Sequence, residues 1–297
     1  MQQDLFMTDD EKRRYKVKKV FTKIGIYIFL IIIALFIVIP FYWMVATALR
    51  STNELGKTSI SFFPEVWHWE NFPGAFKFAA DRNASFLRFY LNTIIVGAAT
   101  TILSMISVTF AAFSFARLNF KGRDTLFAIF LATMMIPGEI FVISNFSTIS
   151  AWGLNNTYTA MVLPFIVDVF YIFFLRQTFK QIPDELYFAA KVDGTSDFKY
   201  LFKVMIPMAK ATLTTIFILS MMGTWNAYIW PNLVATSPDM YLVSNGLLTI
   251  YRDIDGTGTI LNYQMAAATM VTVPLLIVFL LLKKYIMRGV SRSGIKG

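Results

Sequence analysis

The sequence predicts an all-α membrane protein, a polytopic bundle of about six transmembrane helices. Three observations predict it. Hydrophobic residues make up 56% of the 297 positions, and the mean hydropathy is +0.57, above the apolar share of an ordinary soluble domain. Apolar runs of roughly 20 residues, the length a hydrocarbon core requires, recur along the chain. The basic residues alternate in density between successive connecting segments, as the positive-inside rule demands.

The spans follow in order. The first runs from near Ile24 to Leu49, the second from about Leu91 to Ala116, and the third from about Thr125 to Phe146. The fourth covers about Tyr158 to Leu175, the fifth Thr212 to Trp230, and the sixth Met265 to Leu282. Of the 27 Lys and Arg residues, 21 lie before span one, after spans two and four, and after span six; only 6 lie in the other segments. This bias places both termini in the cytoplasm. The expected organisation is a cytoplasmic segment 1–23, a transmembrane domain 24–288 with outer loops 50–90 and 231–263, and a cytoplasmic tail 289–297. The charged start and first apolar run imitate a signal peptide. That run is too long, however, and Arg50-Ser51-Thr52-Asn53-Glu54 ends it without a small-residue cleavage pattern, so it reads as a retained helix. Pro64, Trp67, Trp69 and Phe72 suit a stretch lying at headgroup depth.

Composition excludes several functions. There is no Cys and one His, His68, so thiol chemistry, disulfides and His-cluster metal sites are ruled out. The net charge of +9 is accounted for by topology and calls for no nucleic acid. Leu55-Gly56-Lys57-Thr58 imitates the end of a phosphate-binding loop, but Ser51 stands where the leading glycine belongs and the segment is an outer loop. An intramembrane enzyme needs convergent acids, a base or a metal site, and a secondary transporter is expected to show internal repeats with paired midplane ions; neither pattern is visible.

The most informative segment is 183–207, a charged stretch between apolar runs. Pro183 can open a helix, and Asp193-Gly194 breaks it, glycine permitting a positive φ. Ala189 and Ala190 leave a smooth face that another surface can approach. Phe198, Leu201, Phe202 and Met205 recur at helical spacing, and an apolar face on a cytoplasmic loop needs a cover.

This loop resembles the EAA motif of ATP-binding-cassette (ABC) importer permeases through Ala189, Ala190, Asp193, Gly194, Phe202 and Pro207. Two positions depart from it: Phe188 holds the glutamate position, with Glu185 one turn earlier, and Ala211 replaces a second proline. Further similarities run along the chain: Phe62-Phe63-Pro64, Trp69-Glu70-Asn71-Phe72, Asn92-Thr93, Ala111-Ala112-Phe113-Ser114-Phe115-Ala116-Arg117, Met135-Ile136-Pro137, Phe173-Phe174-Leu175-Arg176-Gln177, Trp225-Asn226 and Gly294-Ile295-Lys296-Gly297. In this order they are similar to the carbohydrate-uptake, maltose-permease-like branch. The resemblance implies a type I ABC importer permease fold, with a coupling helix in the 183–207 loop that sits in a cleft of a cytoplasmic ATPase. It also implies a second permease subunit, an ATPase dimer holding ATP and Mg²⁺, and an extracellular solute-binding protein. No cofactor is expected on this chain. Importers of glycerol phosphate use related permeases and remain an alternative.

Charges inside spans cost about 2.5–3.5 kcal/mol at mid-helix and point to function by default. Asp168 in span four and Glu139 after Pro137-Gly138 either line a polar translocation path, pair across an interface with a second permease, or cap broken helices near water. Trp225 and Asn226, with Tyr228, Trp230 and Asn232, either stack on a sugar or form an interfacial aromatic belt.

Overall fold

The computed structural model describes residues 9–57, 61–252 and 260–291. Every regular element among them is helical. The Gly294–Gly297 similarity, Thr58 and the middle of the second outer loop lie outside the described residues. The chain divides into two units, residues 1–72 with 255–269, and residues 73–254 with 270–297.

In the first unit, α1 (Asp9–Ala48) is a 40-residue helix. Between Val17 and Ala48 its apolar window is unburied within the chain, as expected of a helix hydrophobic all round that faces lipid or another subunit. The predicted polar stop at its end is a buried knot. Arg50 is fully buried. Its Nε donates to Glu54 Oε1 at 2.9 Å, and its Nη2 reaches the carbonyls of Ser61 and Phe62. Ser51 caps α2 (Thr52–Leu55) by accepting from Glu54 N–H. Asn71 Nδ2 donates to the carbonyls of Ala48 and Arg50 at 2.9 and 2.8 Å. Pairing and hydrogen bonding together offset the desolvation of the two charges. The Trp67, Trp69 and Phe72 rings stack in sequence, with both tryptophans more than half exposed.

In the second unit, α3 (Asn71–Ala80) leads to α4 (Phe86–Arg117), the central element. Its face carries Thr93, Val96, Gly97, Thr100, Thr101, Ser104, Val108 and Ala112, all buried. Small residues at i, i+3 and i+4 let neighbouring backbones approach closely. At Gly97 an added Cβ would lie 3.2 Å from the Met221 sulfur, and Thr101 Oγ1 donates to Ser220 Oγ at 2.9 Å.

The predicted spans three and four are broken helices. In span three, α5 (Arg123–Thr133) and the Gly138–Ile140 turn with α6 (Phe141–Ala151) meet at 77° around Pro137. In span four, α7 (Tyr158–Val162) with its 3-10 extension to Phe165 meets α8 (Val169–Lys180) at 47°. Proline ends or kinks a helix by removing a donor and crowding the preceding turn. The loop 183–207 folds as α9 (Asp184–Val192), α10 (Asp197–Tyr200), a π-turn Leu201–Met205 and α11 (Ile206–Met208). A 79° bend then leads into α12 (Lys210–Trp225). The predicted fifth span, 212–230, therefore ends five residues early. Asn226 closes α12 by donating its amide to Met222 O, and Trp230 belongs to the separate α13 (Ile229–Val234). α14 (Val243–Ile250) and α15 (Leu261–Ser291) complete the chain. Among the described residues, three helices are long and apolar enough to cross a membrane unaided, and three bent pairs bring the number to six.

Among the described residues, the interior of this unit includes two apolar clusters. Phe113, Phe115, Leu175, Phe179, Leu201 and Met205 anchor one; Val96, Met161, Trp230, Val234 and Leu242 anchor the other.

Candidate functional site

Charge and capping explain why α9 forms. Asp184 and Glu185 stand in its first turn and Lys191 in its last, each complementing the helix dipole. The predicted break at Gly194 is a Schellman motif: Gly194 has φ +68°, its N–H meets Lys191 O at 3.0 Å, and the Thr195 N–H meets Ala190 O at 2.8 Å. Lys191 Nζ lies 2.7 Å from Asp197 Oδ1, and the Tyr187 hydroxyl donates to that same oxygen at 2.7 Å. These bonds tie α9 to α10 across the turn. The Lys191 ammonium holds the Asp197 carboxyl below its ordinary pKa, and Asp197 in turn holds the ammonium charged to higher pH. Burial and then the Asp197 carboxylate push the Tyr187 phenol up.

The two faces of α9 differ. Tyr187 and Ala190 pack on the cluster around Phe179. Glu185, Phe188, Ala189 and Val192 are exposed, Val192 to 88%, and Asp193 and Gly194 continue that exposed surface. The predicted apolar face of the next segment is split: Leu201 and Met205 are buried, whereas Phe198 and Phe202 are exposed and lie against the Phe110 ring. Pro207 is exposed in α11.

Two arginines join this loop to the helices behind it. Arg117, the last residue of α4, donates from Nη2 to Phe179 O at 2.8 Å and to Ile182 O, and from Nη1 to the Asp184 carboxylate. Arg176 of α8 donates from Nε to Phe115 O at 3.1 Å, with its guanidinium 3.8 Å from the Phe127 ring centroid. In sequence both arginines read only as topology charges or as parts of a resemblance. Most of their acceptors are backbone carbonyls some 60 residues away, which leave no side-chain signal to find.

The candidate path residues separate. A cavity of about 180 Å³ is lined by Thr100, Ser104, Asp168, Tyr171, Thr224 and Trp230, among others. Among the described residues, Asp168 is its one charged lining residue; it also caps α8, accepting from Tyr171 N–H at 3.0 Å. One side chain therefore both caps a broken helix and lines a cavity. Glu139 is exposed in the turn after Pro137 and does not line the cavity. Trp225 and Asn226 are also outside that lining: the Trp225 ring meets Tyr90 edge-on, and exposed Asn226 caps α12. Of the outer aromatic group, Trp230 reaches the cavity, held by its indole N–H on Ala160 O at 3.0 Å. Among the described residues, no group of three His, Cys, Asp or Glu side chains is placed to hold a metal.

Comparison with known proteins follows the same lines. The profile of the family described as "Binding-protein-dependent transport system inner membrane component" matches residues 104–292. The AraQ permease of an arabinooligosaccharide transport system from Halalkalibacterium halodurans is 31% identical over 267 residues, 89% of this chain and 93% of that one. The sn-glycerol-3-phosphate transport system permease UgpE of Pectobacterium atrosepticum is 26% identical, covering 90% and 95%. A bacterial ABC transporter that imports the acidic polysaccharide alginate contains a chain of the same fold, with a TM-score of 0.76, 22% identity and coverage of 94% and 99%. On this evidence the chain belongs to the family of binding-protein-dependent transport system inner membrane components.

Proposed function

We propose that this chain is one permease subunit of an ATP-driven importer for a carbohydrate. It pairs with a second permease and is served by an ATPase dimer, which carries ATP and Mg²⁺, and by an extracellular solute-binding protein. Both termini and the 183–207 loop face the cytoplasm. The observation that carries this reading is α9: a short helix packed on one side and exposed on the other, with Phe188, Ala189 and Val192 uncovered beside Glu185. Apolar side chains exposed together outside the spans call for a partner surface. Alternating access follows if ATPase closure stabilises one arrangement of the spans over the other, since a ligand shifts an equilibrium only by its differential affinity. Phe188 in place of the motif glutamate makes the contact to the ATPase more apolar, with Glu185 supplying the charge one turn away.

A carbohydrate is favoured over an anionic solute because, among the described residues, Asp168 is the one charged group lining the cavity and no Lys, Arg or His joins it. Reconstitution tests both parts. Proteoliposomes holding both permeases, the ATPase and the binding protein should accumulate a labelled arabinooligosaccharide with ATP inside, and less of sn-glycerol 3-phosphate. Uptake by this chain alone, without an ATPase, would contradict the reading.

A further inference from the structure

The exposed face of α9 can transmit force only if the helix is fixed to the spans behind it, and the two arginines meet that need. The last carbonyls of any helix lack partners within it. Phe179 O belongs to the last turn of α8, and Ile182 O to the short connector 181–183 before α9. Arg117 bonds both carbonyls and also pairs with Asp184 in the first turn of α9. One planar fork of donors therefore holds the end of α8, the connector and the start of α9 to the end of α4. Arg176 returns the arrangement by bonding Phe115 O in the last turn of α4. Each arginine thus satisfies a carbonyl near the end of the other's helix. Both side chains are almost fully enclosed, at 3% and 7% exposure, so opening either bond strands a buried charge. On the far side of α9, the Lys191–Asp197–Tyr187 knot and the Gly194 turn prevent the helix from pivoting about its other end.

We propose that Arg117 is a positioning residue for energy coupling: it makes α9 and the ends of α4 and α8 one rigid piece, so that displacement of α9 reaches the spans instead of being absorbed in the connector. This rests on the reading of α9 as the ATPase contact. An ammonium in place of the guanidinium keeps the charge but presents no fork.

The test uses the assembled complex of both permeases and the ATPase, with partner cysteines removed. Because this chain has no Cys, spin labels can be placed at Phe120→Cys beyond α4 and at Leu186→Cys, an exposed position of α9 outside the residues assigned to the ATPase contact. A second sample pairs Leu186→Cys with a single cysteine on the partner permease. Adding ATP should shift the distance between subunits and leave the 120–186 distance unchanged. If neither distance responds to ATP, the reading of α9 as the driven element fails. If the 120–186 distance moves as well, the reading of α9 survives and the rigid lock is overturned. Arg117→Gln and Arg117→Lys should both keep basal ATP hydrolysis and lose about tenfold in stimulation by solute-loaded binding protein, with the 120–186 distance becoming ATP-sensitive. Full stimulation in either variant would overturn the proposal. Should the variants fail to assemble, the unsubstituted label pair still decides it.

Discussion

The two ends of the second unit are fastened by different chemistry. At the α9 end, guanidinium groups bridge helix termini and pair with carboxylates. At the other end, amides do most of this work, with one guanidinium, Arg88, donating to Asp239 O at 3.4 Å. Asn92 donates to the carbonyls of Asp239 and Tyr241 at 2.7 and 3.0 Å and accepts from the Tyr158 hydroxyl at 2.7 Å. Asn156, at φ +61°, accepts from the Thr236 and Ser237 N–H groups. Asn245 Oδ1 accepts from Leu242 N–H at 2.6 Å. Asn92 and Arg117 lie on one helix, and at 1.5 Å per residue they are about 38 Å apart. A neutral amide knot is indifferent to pH and salt. A guanidinium lock is strong and directional, and the loop it holds carries charge and an uncovered apolar face. The first arrangement suits a fixed end, the second an end that receives a partner.

Breaking the amide end should have the largest effect on stability. Asn92 is fully buried, so Asn92→Ala takes a donor from the Asp239 and Tyr241 carbonyls and the acceptor from the Tyr158 hydroxyl, and should destabilise by about 3 kcal/mol. A shift in the unfolding midpoint of the purified chain in nanodiscs would measure it. Gly246→Ala is next. Its Cβ would lie 2.7 Å from two Phe89 ring carbons, an overpacking worth about 1–3 kcal/mol by the same assay.

At the α9 end the expected pattern reverses. Ala189→Glu places a charge on an exposed position, so stability should change by less than about 0.5 kcal/mol while ATP-driven uptake is lost. Equal losses of stability and uptake would erase the contrast between the two ends. The smallest effect is on pH. Asp197 has a pKa below its ordinary 3.8, so its contribution is present above that value and fades as pH falls through the lowered one. Lys191 has a pKa above its ordinary 10.5, so its contribution is present below that value and fades as pH rises through the raised one. Hydrogen exchange at Lys191–Ser196 should therefore be slowest, relative to intrinsic rates, between about pH 4 and 10, and the amides near Asn92 should show no such window.

Much of this was legible in the sequence. Apolar length alone pointed to about six spans, which the structure meets with three long helices and three bent pairs, and Asp193-Gly194 marked a break that the backbone realises with a positive φ. The bends were less legible. The 77° and 47° angles of spans three and four leave no trace in apolar length, and the early end of α12 depends on Asn226 bonding back to Met222, a local choice that periodicity does not record. Asp168 was recognisable as costly in a span, yet only the structure shows it both capping α8 and lining a cavity. Arg117 looked like one more inside charge because its three acceptors are distant in sequence and two of them are backbone carbonyls. The same holds for Asn92, whose partners lie beyond position 150.

The central claim is that a separate ATPase covers the outer face of α9. A single cysteine at Val192, 88% exposed in the free chain, tests it most directly through its reaction with a water-soluble maleimide before and after assembly. The account predicts fast labelling of the free chain, protection in the complex, and a cross-link from Val192→Cys to the ATPase with a short bifunctional reagent. Undiminished labelling in the assembled, transporting complex would contradict it.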